Sequence, residues 1–127
     1  MTKNLVQIIG FAGQDPKRFG NIDSNGVRFS VATTERWRDK DGNKQERTEW
    51  HTVVFWNRLA DIAADLVHKG SHIFVSGPIR SRSFEDKGAT RTVWEIHARE
   101  LLLLDPKSKA IDDEADESLP PPQPSQP

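Results

Sequence analysis

An all-β domain of about five strands, with one helix between the third and fourth, is the fold that this sequence predicts. Three observations predict it. Short β-branched and aromatic segments alternate apolar with polar residues, and turn signals such as Asn25-Gly26, Asp41-Gly42 and Asp86-Lys87-Gly88 separate them. Only one stretch, Asn57 to Lys69, repeats its apolar residues at helical spacing. The strands outnumber any strand–helix–strand repeat, and so small a sheet buries one face and removes most edges by closing into a barrel.

Each element follows from its residues. Asn4 to Gly13 is the first strand, where Gly10 and Gly13 mark a bulge, a bend or a close approach of two backbones. Gln14 to Gly26 reads as a loop or hairpin excursion, punctuated by Asp15-Pro16, Gly20-Asn21 and Ser24-Asn25-Gly26. In the second strand Val27, Phe29 and Val31 alternate with Arg28, Ser30 and Ala32, and the strand runs on to Trp37. The polar segment RDKDGNKQER then forms a protruding hairpin with Asp41-Gly42 at its tip. Thr48 to Trp56, TEWHTVVFW, is the central strand. Its alternation places Trp50, Thr52, Val54 and Trp56 on one face and His51, Val53 and Phe55 on the other.

In the helix, Leu59, Ile62, Ala63, Leu66 and Val67 form the apolar stripe, Asn57 is placed to cap the start, and Lys69-Gly70 to end it. Ser71 to Ser76 is a short strand closed by Gly77-Pro78, and Ile79 to Phe84 is the next. Thr90 to Leu104 returns as the last strand, with Trp94, Ile96 and Ala98 on one face. Its four leucines break the alternation, which suggests a bulge or burial on both sides.

The 127 residues suffice for one domain with a real core, here 1–107, followed by an acidic and then proline-rich tail, 108–127, expected to be disordered. All 18 Lys and Arg lie at or before Lys109, together with 14 of the 19 acids, and the other acids cluster between Asp112 and Glu117. A mildly basic body therefore precedes an acidic segment, a distribution shared by nucleic-acid binders and by ordinary domains with a solubilising terminus. The absence of cysteine excludes disulfides and thiolate metal sites. MTKNLVQIIGFAG lacks a long apolar core and cleavage site, and no stretch approaches the ~20 apolar residues of a spanning helix. A cytoplasmic protein without membrane association is expected.

Catalysis finds little support. The histidines His51, His68, His72 and His97 show no paired metal-ligand spacing, and neither a GxxxxGK loop nor a GxSxG elbow is present. No catalytic residue, metal or cofactor is expected. Binding is better supported. Trp37 is flanked by Arg36 and Arg38, Arg47 precedes Trp50, Arg58 follows Trp56, and Arg80 and Arg82 share strand parity with Phe84. Aromatic rings stack bases while neighbouring cations hold the phosphate path, and neither contact requires a particular base. The plainer alternative for any one Trp is a core or interface position, and Trp94 is read that way.

The run WRDKDGNKQERTEWHTVVFWNRLADIAADLVHKGSHIFVSGPIRSRSF resembles the bacterial single-stranded DNA-binding protein family. The resemblance spans about Asn4 to Leu104, with the TEWH strand, the helix ending in KGS and the SGxIRSRSF strand in order. It implies a five-stranded OB-fold barrel, a homotetramer, and sequence-independent binding of single-stranded DNA in replication, recombination and repair, hence a nucleoid-associated location. It implies stacking roles for Trp37 and Trp50, with Trp56 where the family usually has Phe and Phe84 where it often has Trp. It further implies a DNA path bordered by Arg38, Arg58, Arg80 and Arg82, and a subunit contact at His51. Family members end in an acidic tip finished by Pro-Phe that recruits replication and repair proteins. Here the acids come early and the sequence ends QPSQP, which implies atypical recruitment and is compatible with a phage, plasmid or accessory member. The rival readings are an OB-fold protein-interaction or primosome accessory module, and an RNA-binding OB-fold.

Overall fold

The computed structural model describes residues 1–21 and 24–105. In chain order the elements are β1 Val6–Ala12, β2 Lys17–Asn21, β3 Ser24–Arg38, β4 Lys44–Trp56, α1 Asn57–Leu66, β5 His72–Gly77, β6 Ile79–Asp86, β7 Ala89–His97 and β8 Glu100–Leu103. They form an eight-stranded sheet of order β6-β7-β4-β3-β1-β5-β8, with β2 paired to β3 off that path. Every pairing is antiparallel except the short one between β4 and β7, at Val53–Ile96 and Val54–His97. This is a mainly β architecture with one helix, as the strand patterning predicts, and OB-fold-like, as the resemblance implies, but the ladder is an open path.

Eight strands form where the sequence marks six strand segments in a fold of about five, and two physical reasons account for the additional pair. The excursion at 14–26 contains β2, because Lys17 to Asn21 pairs in register with Arg28 to Ser24 around the turn. The last expected strand is divided, because the chain changes partners at Ala98-Arg99. The Ala98 N–H donates to Val54 O of β4 (2.9 Å), and the next N–H, of Arg99, donates to Ser76 O of β5 (2.8 Å). The interruption therefore falls ahead of the leucines. Leu101 packs against the core, while Leu102, Leu103 and Leu104 stay exposed, so burial on both sides does not occur.

The core gathers one parity from each strand. Val27, Phe29 and Val31 of β3 meet Val53 and Phe55 of β4, Ile73 and Val75 of β5 and Ile96 of β7, all buried. Phe29 and Phe55 stack with centroids 5.4 Å apart. Ala60 and Ala63 of α1, with Val67 just beyond it, complete this cluster. A Cβ at Gly10 would overlap the Ala32 carbonyl, so of the bulge, bend or close backbone approach open there, Gly10 makes the close approach.

Both ends of the helix differ from expectation. Asn57 does not cap: it sits at φ 54°, the N-cap position belongs to Trp56, and no side chain caps the start. The Asn57 carbonyl instead accepts from Asn25 Nδ2 (3.2 Å), tying the start of β3 to the helix entry. The helix stops at Leu66 because Val67 turns to an extended conformation and is fully buried. Donors beyond it find other partners: His68 N–H bonds Ser71 Oγ and Lys69 N–H bonds Asp15 Oδ1. The expected boundary at residue 107 and the tail 108–127 lie outside the described residues.

Candidate nucleic-acid interface

Strand register decides which side chains share a face, since paired residues point to the same side of a sheet. Between β3 and β4 the pairs include Gly26–Trp56, Arg28–Val54 and Ala32–Trp50. Phe19 of β2 lies opposite Gly26. Val54 lies opposite His97 of β7, and the β6–β7 pairs are Arg80–Glu95, Arg82–Val93 and Phe84–Arg91. One side of the sheet, opposite the core, therefore carries Phe19, Arg28, Trp50, Trp56, His97, Glu95, Arg80, Arg82, Phe84 and Arg91. Val54, on this same side, is buried.

The expected platforms Trp50, Trp56 and Phe84 are thus brought together with Arg80 and Arg82. Trp50 is half-buried, and its six-membered ring lies so close over Gly13 that a Cβ there would overlap it. Trp56 is 36% exposed and meets Phe19 edge-on, centroids 5.2 Å apart. Its indole Nε1–H donates to His97 Nδ1 (3.3 Å). Phe84 is 38% exposed, with the Arg82 guanidinium carbon 5.4 Å from its ring centroid. Arg80 is exposed. Arg82 Nε bonds Glu95 Oε2 (3.0 Å).

Other expected residues stand apart from this face. Trp37 pairs with Gln45 and so has the parity of His51 and Phe55, not that of Trp50. It is 46% exposed in an open concavity near the β3–β4 tip, lined also by Arg36, Arg38, Lys44, Gln45 and Glu46. Arg38 Nη1 is engaged with the Gly42 carbonyl (2.9 Å). Arg58 is exposed in the first turn of α1, off the sheet. Trp94 is no core residue: it is the most exposed of the four indoles at 61%. It pairs with Ser81 on a hairpin that runs past the core, and its parity is that of Ile79 and Ile96, away from Trp50.

His51 lies on the core-side parity, where its Nε2 meets Thr33 Oγ1 at 2.8 Å. Burial pushes its imidazole below the ordinary 6.5, with only partial opposition from the Glu49 carboxylate. The fold therefore holds His51 neutral where the unfolded chain protonates. Its contribution to stability is complete above pH 6.5 and is lost as pH falls from there through the lower folded value. The expected result is that His51→Gln flattens the pH dependence of the urea midpoint between about pH 7 and pH 5. Parallel curves for variant and parent contradict it.

Phe19, Arg28, Glu95 and His97 escaped the sequence reading. Phe19 lies in the segment that reads as a loop or hairpin excursion, where no strand parity is assigned. Arg28 was visible as the polar parity of the second strand, yet nothing in the sequence showed its guanidinium 4.2 Å above the Phe19 ring. Glu95 and His97 alternate with Trp94 and Ile96, and folding the hairpin about Lys87-Gly88 would have placed them beside Arg80 and Arg82. The paired strands β2 and β3 are braced against the helix by Asp61, which accepts from Asn25 and Arg18. Those two contacts, Asn25 first, hold its carboxyl below the usual carboxylate value.

A sheet of this topology with rings and guanidinium groups on one side is an OB-fold-like binding scaffold. Residues 3–104 match the single-strand binding protein family, and the chain belongs to it. It is 48% identical over 107 residues to the single-stranded DNA-binding protein 1 of Xylella fastidiosa (strain 9a5c), covering 82% of this chain and 79% of that one. It is 40% identical over 106 residues to the single-stranded DNA-binding protein of Neisseria meningitidis serogroup A, covering 82% of this chain and 61% of that longer protein. The fold is similar to a solved structure of the Plasmodium falciparum SSB complex with ssDNA. That likeness has a TM-score of 0.75 at 25% identity and covers 83% of this chain and 97% of that one. Membership of this family makes the chain a binding protein rather than an enzyme. Among the described residues no group of three or more His, Asp or Glu is arranged to hold a metal ion.

Proposed function

We propose that the protein binds and protects single-stranded DNA without sequence preference, in replication, recombination and repair. The observation that carries this reading is the single sheet face on which Trp50, Trp56 and Phe84 share register with Arg28, Arg80 and Arg82. Rings supply stacking surfaces for unpaired bases, and guanidinium groups follow the phosphates. Trp37 and Arg38 at the β3–β4 tip, with Arg58 at the helix start, extend the path beyond that face.

Titration with oligo-dT tests the reading. Tryptophan fluorescence is quenched on binding, and log affinity falls with log salt by about 0.7 per phosphate neutralised. No quenching and no binding at low salt reject it.

The working form in this proposal is a homotetramer with His51 near a subunit contact. Its support is the exposed apolar side chains Ile9 on β1 and Leu102 on β8, in addition to the family membership. The sheet acts as a closed barrel in this reading, because Ala98 and Arg99 join consecutive donors to β4 and β5 and a Cβ at Gly77 would overlap the His97 carbonyl. The acidic segment from Asp112 to Glu117 is the proposed contact for replication or repair proteins, in a cytoplasmic, nucleoid-associated setting.

A further inference from the structure

Glu95 is a buried carboxylate set into the cationic face, its side chain 4% exposed. Oε2 lies 3.0 Å from Arg82 Nε and 3.5 Å from Arg28 Nε, and Oε1 lies 3.4 Å from His97 Nε2. Arg28 Nε is buried and makes no hydrogen bond, so the Glu95 charge is its compensation in the sheet. The two guanidinium groups that converge on this carboxylate each lie over a ring, Arg28 over Phe19 and Arg82 over Phe84.

The His97 contact carries the arrangement to a third ring. An indole N–H only donates, so the bond from Trp56 Nε1 requires an unprotonated Nδ1 on His97. The imidazole proton then belongs on Nε2, facing Glu95 Oε1. A carboxylate accepts at both oxygens and satisfies the arginines and this tautomer together.

We propose that Glu95 is a positioning residue for single-stranded DNA: it holds Arg28 and Arg82 beside Phe19 and Phe84 and, through the His97 tautomer, fixes the plane of Trp56. The inference rests on the reading that this face takes DNA. Coulomb attraction alone makes the opposite forecast, since an anion on a face that receives phosphates weakens binding and its removal strengthens it.

Glu95→Gln separates the two. Glutamine fills the same space, but with its oxygen toward the arginines its NH₂ faces His97 Nε2. The imidazole proton is thereby moved to Nδ1, opposite the Trp56 N–H. In the full chain, the expected result is binding of labelled oligo-dT roughly fivefold to tenfold weaker than the parent, despite one negative charge fewer. The Trp56 indole resonance in an NMR spectrum of the free protein shifts as well. Equal or tighter binding by a folded Glu95→Gln protein overturns the proposal. If that variant does not fold, His97→Phe carries the test by keeping a ring while deleting the acceptor. Weaker binding with a displaced Trp56 resonance supports the inference, and unchanged binding overturns it. Failure of the functional reading itself is distinct, because the parent protein would then not bind oligo-dT.

Discussion

Replacing Trp50 with alanine weakens oligo-dT binding roughly fivefold to 150-fold, the equivalent of ~1–3 kcal/mol for one stacked base. The ring sits at the middle of the β4 face, supported from below by Gly13 and continuous through Thr52 and Val54 with Trp56. Its removal takes away a platform but leaves the core parity of Val53 and Phe55 intact. Trp94→Ala is the matched comparison. That indole is more exposed than Trp50, so exposure alone ranks it as the better platform. Its parity puts it on the other side of the β6–β7 hairpin, among Ser81, Ser83 and Thr92, with no guanidinium at a paired position. Loss at Trp50 and near-parental affinity at Trp94, with both variants equally folded, is the expected pair. Equal losses contradict the assignment of faces.

Phe55→Ala lowers folding stability by ~3–5 kcal/mol, a large share of the ~5–15 kcal/mol typical of a domain. Phe55 is fully buried, stacks on Phe29 and lies in the cluster that Ala60, Ala63 and Val67 close from the helix side. Truncation leaves a cavity that strands held by cross-strand hydrogen bonds cannot readily collapse. Urea unfolding measures the change as a lower midpoint with a similar slope. A loss below about 1 kcal/mol contradicts the picture of a core organised on this residue. Because the side chain points away from Trp56, saturating oligo-dT recovers part of the lost stability by mass action.

Period-two alternation carried most of what the sequence revealed. TEWHTVVFW separates a buried parity from an aromatic one, and the register with β3 preserves that separation along the strand. Asp86-Lys87-Gly88 likewise marked the β6–β7 turn, with Lys87 and Gly88 both at positive φ. Alternation fails where backbone geometry is set by distant partners. Trp37 and Trp50 share the same kind of neighbouring arginine, but the short turn between their strands fixes a register that sends them to opposite faces. Asn57 has the chemistry of a helix cap, yet the chain enters the helix through Asn57 in a left-handed conformation, directly after the extended Trp56. The Glu95 cluster was illegible for the same reason. Its members come from β3, β4, β6 and β7, and the short parallel contact at Val53–Ile96 and Val54–His97 sets the height of the β6–β7 hairpin against β3 and β4.

An NMR titration of the full chain with oligo-dT, following the four tryptophan indole N–H signals, reads the face directly. The account predicts that the Trp50 and Trp56 signals shift or broaden as DNA is added while Trp94 keeps its position. A moving Trp94 beside unchanged Trp50 and Trp56 would place the DNA on the opposite side of the sheet and contradict it.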